Sequence, residues 1–559
     1  MSAPYFLGLD ASTQSLKASL LSVNLDVVSE CSIHFDSDLP HYGTKGGVIF
    51  GQDGEVYSPV LMIVEAMDKL FEKIKSRGWD VKEIRGVAAA GQFSNAFSRS
   101  IVPNWQDSST TRECNALEDA VGGAKALAHI TGSKAHERFT GAQIMRFRRI
   151  DSAGYEATDR ISLVSSAITT LLCLDGEVKG IDESDVCGMN LWTMNKRERG
   201  WSQVLLEAIA GSEGAAELAR KLGRVETDGG RPVGHVGSWY VQRYGFSPEC
   251  LVFPGTGDNP ATFLSLTYVV LVSTHKYHPH PDFHAFYHPA QIAPLSVQDT
   301  DKREGAEPLR YFNMLVYKTV EALRPVSKDD LPYQAAFWWL LPDIVPHGAH
   351  GVYKYVTDPS AGPFFEAATA KRVQDFSDPR KEAISILESQ LLNYRSRSSS
   401  ILDDQTDLSI PSTANIDISI PRLTRVYATG GASANRTILS MIADVLNTQV
   451  CKNVEYLDGK WQDAQWNSCS VGVAYKARWG WERTRNESRK WVGFDQVIKE
   501  CRLARRKLRG GEGERSDLAE EGIRIIASPT EGARAFERRV EWWRELEKKA
   551  LNDQRSQAV

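Results

Sequence analysis

Three segments of the sequence share one pattern, in which a short apolar strand runs directly into a turn of small and hydroxyl-bearing residues. The three segments are 5–15, 251–258 and 425–433. Turns of this kind expose backbone N–H groups, and a helix that begins after the turn adds the positive end of its dipole, so each turn suits an anion. A chain of 559 residues is also too long for one ordinary hydrophobic core. The repeated pattern therefore predicts two domains with a nucleotide held in the cleft between them.

The composition excludes several classes of protein. The formal net charge of −5 argues against a nucleic acid partner, because phosphate backbones select basic surfaces. The N-terminal sequence has no basic segment followed by a long apolar one, and no apolar stretch approaches the length of a membrane span. The cysteines are scattered without a CxxC pair, as is typical of free thiols in a reducing compartment. We therefore expect a soluble cytoplasmic protein with neither a membrane nor a nucleic acid as partner.

Hydrophobic periodicity predicts the regular elements around the three turns. Because the segment 251–258 repeats the opening pattern, we expect the domain boundary there. The polar, serine-rich segment 393–420 indicates an insertion. In the charge-rich tail, apolar residues at helical spacing from Phe536 to Leu546 predict a helix packed on the body. The predicted strands are Tyr5–Leu9, Lys17–Val23, Ile84–Ala90, Leu251–Phe253 and Arg425–Ala428, and the predicted helices are Pro59–Ser76, Ser109–Thr131, Arg160–Leu174 and Arg436–Leu446.

Six further passages resemble a known family. They are Asn104–Thr110, Thr131–His136, Arg138–Gln143, Arg160–Ser166, Gly188–Leu191 and Tyr240–Phe246. Together with the three turns, they resemble the FGGY carbohydrate kinases, and most closely the D-xylulose kinase branch, over most of residues 5–480. The resemblance implies an α/β fold of two ribonuclease-H-like domains of the actin ATPase type, with an interdomain cleft. The N-terminal sugar-binding domain would span 1–256, the nucleotide-binding domain 257–480, and a charged helical extension 481–559.

The resemblance also implies an activity, the ATP-dependent phosphorylation of D-xylulose to D-xylulose 5-phosphate with Mg²⁺, by a monomer or a dimer. Asp258 matches the family's catalytic aspartate, which would accept the proton of the terminal sugar hydroxyl as that oxygen attacks the γ-phosphate. Its neighbour Asn259 would hydrogen-bond the sugar. Asp10 matches the carboxylate that holds Mg²⁺ near the transferring phosphate.

Other residues match the family's phosphate, adenosine and sugar contacts. Asp107, Gln143 and Arg160 fall in passages that line the sugar cleft in relatives. Arg160 is the best candidate of these, because an arginine donates several hydrogen bonds to vicinal hydroxyls. Each of the three alone is equally consistent with an interdomain salt bridge or a cap that serves only the structure. The first phosphate loop contains Ser12, Thr13 and Gln14, and the adenosine loop contains Gly430, Gly431, Ala432, Ser433 and Asn435.

Two departures from the family pattern bear on function. Ser94 stands where the family has a histidine that contacts the sugar, and serine is too short to span the same distance. After Thr262 the chain lacks the Gly-Thr-Ser turn that cradles the ATP phosphates in the family, and such positioned donors stabilise the transition state. The alternatives are therefore a kinase of another ketose or polyol, and a catalytically impaired sugar-binding or regulatory protein.

Five histidines between His275 and His288 raise the question of a metal site. Pro279 and Pro281 interrupt their spacing, and relatives carry a similar proline-rich loop. We therefore interpret this segment as a surface loop and not as a metal centre.

Overall fold

The computed structural model describes most of the chain, and the described residues fall into two compact units. The first unit comprises residues 1–267, 273–313 and 465–515, and the second comprises 268–272, 314–464 and 516–559. These bounds differ from the predicted division at 256 and 480, and the assignment of each domain to sugar or nucleotide stays a prediction. The residues described are 3–91, 99–194, 199–265, 272–274, 283–290, 311–315, 334–339, 346, 349–357, 367, 369–376, 379–403, 425–428, 435–457, 460–485, 492–508, 522–530 and 533–557.

Strands and helices alternate through much of this part of the chain. The strands are β1 (Tyr5–Ala11), β2 (Ser15–Ser22), β3 (Val27–His34), β4 (Ile49–Phe50), β5 (Val56–Pro59), β6 (Ile84–Gly91), β7 (Ile101–Pro103), β8 (Ile181–Asp182), β9 (Trp192–Thr193), β10 (Gly200–Trp201), β11 (Val225–Glu226), β12 (Gly234–His235), β13 (Leu251–Val252), β14 (Thr256–Gly257), β15 (Val272–Thr274), β16 (Phe283–Tyr287), β17 (Tyr311–Leu315), β18 (Gln334–Trp339), β19 (Gly351–Val356), β20 (Lys371–Val373), β21 (Arg425–Tyr427), β22 (Gln449–Leu457), β23 (Lys460–Asp463) and β24 (Ile523–Ala527). The helices are α1 (Phe35–Asp38), α2 (Val60–Ser76), α3 (Thr111–Val121), α4 (Ala124–Thr131), α5 (Thr140–Ile150), α6 (Ser152–Ala157), α7 (Val164–Cys173), α8 (Glu183–Val186), α9 (Gln203–Ala210), α10 (Ala215–Leu222), α11 (Ser238–Tyr244), α12 (Asp258–Ser265), α13 (Pro379–Asp403), α14 (Arg436–Leu446), α15 (Ser468–Arg485), α16 (Phe494–Leu508) and α17 (Ala533–Gln557). None of the described helices is long and apolar enough to cross a membrane.

The predicted strands and helices are confirmed within a few residues, with one exception. The single helix predicted over 109–131 is two helices, α3 and α4. Between them, Gly122 and Gly123 have φ angles of 90° and 109°, which end the right-handed helix. Hydrophobic periodicity continues across this break, so the pattern alone did not reveal it.

A mixed sheet forms the centre of the first unit. Its order is β12-β13-β6-β1-β2-β3, and β14 pairs with the end of β6. Strands β1 and β2 are antiparallel, whereas β1 and β14 both run parallel to β6. Ala11 at the end of β1 and Gly257 at the end of β14 both pair with Gly91 at the end of β6. The first two predicted turns therefore begin at the same end of the strands of one sheet.

Helix α15 packs against this sheet at close range. A β-carbon added to Gly8 of β1 would lie 1.8 Å from the carbonyl oxygen of Ser470, and one added to Gly472 would lie 1.7 Å from that of Ala261. Only glycine leaves room for these backbones to approach so closely. The helix is buried on every side from Cys469 to Gly480, so it has no amphipathic pattern and sequence periodicity did not predict it.

The second unit packs aromatic residues of β18 and β19 against the tail helix α17. Phe337, Trp543 and Leu546 are buried in one cluster, and the rings of Phe337 and Trp543 are 4.3 Å apart. The predicted packing of the tail helix is therefore confirmed.

The predicted insertion at 393–420 begins as helix and not as irregular chain. Helix α13 continues to Asp403, while residues 404–424 lie outside the described part of the chain. Arg397 forms an ion pair of 2.7 Å with Glu547 of α17, and Arg395 donates a hydrogen bond of 2.6 Å to the carbonyl oxygen of Val445. These distant partners hold the serine-rich segment in a helix, which its local composition does not indicate.

Candidate active site

Asp10 and Asp258 are brought together by the sheet. Asp10 lies near the end of β1, and Asp258 begins α12 directly after β14. Because Ala11 and Gly257 both pair with Gly91, the two aspartates leave the sheet on either side of the end of β6, close enough for the charge of Asp10 to act on Asp258. The predicted magnesium ligand and the predicted base are thus neighbours, although 247 residues separate them in sequence.

Asp10 is buried, and among the described residues one of its carboxylate oxygens finds no hydrogen-bond partner. Burial raises the pKa of this carboxyl, and the nearby charge of Lys17 opposes that shift. Hydrogen bonds from Cys469 and Asn467, at the start of α15, favour the charged form in the same way. The Oδ1 atom is fully shielded from water and accepts no hydrogen bond. A buried oxygen without a donor indicates a position for a cation or a water molecule.

This oxygen fits Mg²⁺. In the described part of the chain, no group of three or more His, Cys, Asp or Glu side chains is placed to hold a metal ion. Magnesium bound with a nucleotide typically takes one or two protein carboxylates and completes its shell with water and phosphate oxygens. The unpaired Oδ1 of Asp10, with Asp258 beside it, matches such a site.

Asp258 is half-buried, and the surroundings of its carboxyl suit the predicted role of a general base. Burial raises the pKa of its carboxyl to about 6, and the negative charge of Asp10 adds to the shift. The backbone N–H of Asn259 and the guanidinium of Arg138 oppose it. At neutral pH the carboxyl is therefore mostly ionised, with a pKa close to that of the ideal proton acceptor for this pH. Asn259 donates its side-chain N–H to Asp258 Oδ1 at 3.1 Å, so in this structure the amide orients the carboxyl group.

The predicted phosphate loop is held by contacts on both of its sides. Ser12 donates its hydroxyl proton to the carbonyl oxygen of Ser15 at 2.9 Å, which closes the turn. The indole N–H of Trp105 donates to Thr13 Oγ1 at 2.8 Å. The carbonyl oxygen of Gln14 accepts a hydrogen bond of 2.9 Å from the backbone of Phe35. Phosphate contacts by Ser12, Thr13 and Gln14 stay a prediction.

The predicted sugar contacts fall into two places. Gln143 donates to Asp107 Oδ1 at 2.8 Å, and Asp107 Oδ2 accepts from the backbone N–H of Val56 at 3.0 Å. Both residues thus join a buried network that ties the loop after β7 to α5. Arg160 lies elsewhere, with its guanidinium packed directly over Gly223, and its buried Nε has no acceptor. Within the described structure, none of these three forms a hydrogen bond or ion pair with Asp258.

The remaining predicted site residues are mostly outside the described part of the chain. These are Ser94 and the adenosine-loop residues Gly430, Gly431, Ala432 and Ser433. Asn435 is described, and its side chain caps α14 by accepting hydrogen bonds of 3.0 and 3.3 Å from the N–H groups of Thr437 and Ile438. A cap of this kind stabilises the helix that would follow an adenosine loop.

The comparisons with known proteins decide the family. No protein-family model matches the sequence. The chain is 34% identical to the probable D-xylulose kinase A of Aspergillus oryzae over 545 residues, which cover 86% of this chain and 90% of the relative. It is also 34% identical to the D-xylulose kinase A of Aspergillus niger over 546 residues, 87% of this chain and 91% of the relative. The chain belongs to the FGGY carbohydrate kinase family.

Solved structures confirm the predicted fold class of two actin-type α/β domains. A xylulose kinase from Brucella ovis superposes with a TM-score of 0.65 at 15% identity, covering 97% of this chain and 98% of that one. The glycerol kinase of Plasmodium falciparum, solved with ADP, gives a TM-score of 0.64 at 13% identity, covering 98% of each chain. At such low identity these structures establish the architecture alone.

Sequence reasoning missed the buried polar contacts that lie behind the turn before Asp258. Lys476 of α15 forms a fully buried ion pair with Asp182, 2.7 Å between Nζ and Oδ2. Ser184 Oγ lies 2.5 Å from Thr256 Oγ1, which joins α8 to β14. Three acidic residues within four positions, Asp182, Glu183 and Asp185, precede the apolar run 186–194, and this juxtaposition was the available signal.

The interpretation of the histidine segment as a surface loop is wrong for two of the five histidines. His284 lies on β16, is buried, and has its ring 5.0 Å from that of Phe139. Burial lowers the pKa of His284 to about 4, so its imidazole is neutral at physiological pH. His288 is also buried. The other three histidines lie outside the described residues.

Proposed function

We propose that this chain transfers the γ-phosphoryl group of ATP to the terminal hydroxyl of D-xylulose, giving D-xylulose 5-phosphate and ADP. The observation that carries the proposal is the pair formed by Asp10 and Asp258, two interacting carboxyls that form no ion pair with any described residue. The 34% identity to D-xylulose kinase A over most of the chain supports the choice of sugar.

Asp258 acts as the base in this reaction. Its carboxylate accepts the proton of the sugar hydroxyl while that oxygen forms a bond to the γ-phosphorus and the bond from phosphorus to the β-bridging oxygen breaks. The Arg138 guanidinium favours the ionised carboxylate, and Asn259 orients it through its side-chain N–H. The proton therefore ends on Asp258 and the negative charge leaves on ADP.

The unpaired Oδ1 of Asp10 would hold Mg²⁺, and the ion would neutralise part of the negative charge of the phosphates. The eight cysteines are all described and all buried, and none of them forms a disulfide, as suits a protein of the reducing cytoplasm, where we place the reaction. A monomer or a dimer is consistent with this function, since Asp10 and Asp258 come from one chain.

The test is ADP release by the purified chain with Mg-ATP. We expect turnover that depends on D-xylulose and that exceeds turnover with other ketopentoses, with glycerol and without sugar. Asp258→Asn serves as the matched control, because it removes the base and keeps the shape of the side chain. A preference for another acceptor would overturn the choice of sugar and retain the kinase.

A sugar-binding protein without turnover is the second candidate, favoured by the missing Gly-Thr-Ser turn after Thr262. Residues 266–271, where that turn would begin, lie outside the described structure. For this candidate, folded protein would bind D-xylulose by calorimetry but release no ADP. Asp258→Asn would then alter only the affinity for the sugar.

A further inference from the structure

Three buried acids beside the catalytic turn differ in their counter-ions. Asp182 is paired with Lys476 at 2.7 Å, and Glu183 is paired with Arg199. Asp185 forms no ion pair with any residue that the structure describes. Its Oδ2 accepts a short hydrogen bond from the hydroxyl of Ser165, and its buried Oδ1 has no hydrogen-bond partner.

The surroundings of Asp185 favour its uncharged form. The charged groups that face it are Asp182 and Asp258, both negative, and Lys476, whose ammonium group is bonded to Asp182. Burial, followed by these two negative charges, raises the pKa of Asp185 well above its usual value, against the hydrogen bond from Ser165. A buried carboxylate without a counter-ion costs several kcal/mol, so the carboxyl takes up a proton.

Asp185 lies directly against the turn that carries the base. A β-carbon added to Gly257 would be 2.8 Å from Asp185 Oδ1, so no side chain fits between them. Helix α7 supports the same turn, because the N–H of Gly255 donates to Thr169 Oγ1 at 3.1 Å. One residue further along the chain begins α12 with Asp258. Any shift of Gly257 therefore moves the base.

We propose that Asp185 is a positioning residue for phosphoryl transfer, which acts as an uncharged carboxylic acid wedged between Ser165 and Gly257 and so fixes the place of Asp258. This inference rests on the proposed function, in which Asp258 is the base. It assigns a role to a buried side chain that the sequence analysis did not single out.

Two substitutions of the full-length chain separate shape from charge. Asp185→Asn keeps the shape and the absence of charge, so we expect kcat within about threefold of the wild type and an unchanged acid limb of kcat/KM. Asp185→Ala removes the wedge, and a displaced base lowers kcat by about 10- to 100-fold, while KM for ATP and for D-xylulose changes by less than about threefold. Glu183→Gln is the control, because Glu183 lies on the same helix but touches Arg199 and Trp192 instead of the turn. It should lower the melting temperature and leave kcat unchanged.

Three kinetic results would overturn the proposal. One is wild-type kcat in Asp185→Ala. Another is an acid limb that moves to lower pH in Asp185→Asn, since this would mean that a negative charge beside Asp258 had been removed. If Asp185→Ala does not fold, Ser165→Ala removes the hydrogen bond from the other side, and wild-type kcat in that variant is the third.

Infrared spectroscopy tests the protonation state without any turnover. The difference spectrum between wild type and Asp185→Asn at neutral pH should contain the carbonyl band of a protonated carboxyl group. Absence of this band would overturn the proposal even in an active enzyme. Conversely, a folded chain that shows the band but phosphorylates no sugar would contradict the proposed function and leave the uncharged state of Asp185 established.

Discussion

Two pairs of acids in the first unit differ in whether a cation is bonded to them. One pair is Asp182 and Glu183, and the other is Asp10 and Asp258. The first two are buried and are each bonded to a cation, Lys476 and Arg199. In the described structure neither Asp10 nor Asp258 forms an ion pair, and burial raises the pKa of both carboxyls. Burial alone does not distinguish a structural acid from a reactive one.

This difference predicts which of these acids can be replaced without loss of folding stability. An acid paired with a buried cation is part of the folded structure, because removing either partner leaves an uncompensated charge. An acid without a cation weakens the fold and persists where its reactivity is needed. The following predictions set the two groups against each other.

The largest effect is expected for Asp258→Asn. Without the carboxylate no group accepts the hydroxyl proton, so kcat should fall by about 10²- to 10⁴-fold, as is typical of the loss of a general base. Stability to urea should be unchanged or higher, because an amide is less costly to bury than an unpaired carboxylate. Coupled measurement of ADP release and urea unfolding checks both. Asp182→Asn, the control, should lose stability instead.

Lys476→Met should act in the opposite way. It leaves Asp182 buried without a cation, and breaking a buried ion pair from one side lowers the free energy of unfolding by about 3–5 kcal/mol. Urea unfolding at 25 °C measures the change, and Lys476→Met combined with Asp182→Asn should regain part of it. A variant with wild-type stability would show that the pair is not structural.

A smaller effect is expected on pH dependence. With the pKa of Asp258 at about 6, kcat/KM should fall as the pH drops below this value, because the protonated carboxyl accepts no proton. The Arg138 guanidinium lowers this pKa, so Arg138→Gln should raise it and move the acid limb to higher pH. Arg148→Gln, in α5, is the control and should not move the limb. An unmoved limb in Arg138→Gln would contradict the proximity of Arg138 to the base.

The smallest effect is expected for Asp107→Asn. Both carboxylate oxygens of Asp107 already accept hydrogen bonds from the protein, so its replacement should change KM for D-xylulose by less than about twofold. The amide group places a donor against the donors of Val56 or Gln143, which should lower the free energy of unfolding by about 1–3 kcal/mol. Steady-state kinetics measures KM, and urea unfolding measures the stability. A tenfold rise in KM would contradict this prediction and indicate that Asp107 contacts the sugar.

The features that could be predicted from the sequence are those that a short stretch of neighbouring residues encodes. Strand β1, helix α14 and the two aspartates Asp10 and Asp258 stand in short patterns, in which a strand meets a turn of small residues. The pair of Asp182 and Lys476 joins residues 294 positions apart, so no local pattern contains it. Helix α15 was missed because its residues are buried on all sides and leave no period to detect.

The central claim is that Asp10 and Asp258 serve phosphoryl transfer to a sugar, and ³¹P NMR of the wild-type reaction tests it most directly. With Mg-ATP and D-xylulose, the account predicts that the γ-phosphate signal declines as the signal of a sugar phosphomonoester grows in equal amount. Folded protein that leaves ATP intact, or that releases only inorganic phosphate, would contradict it.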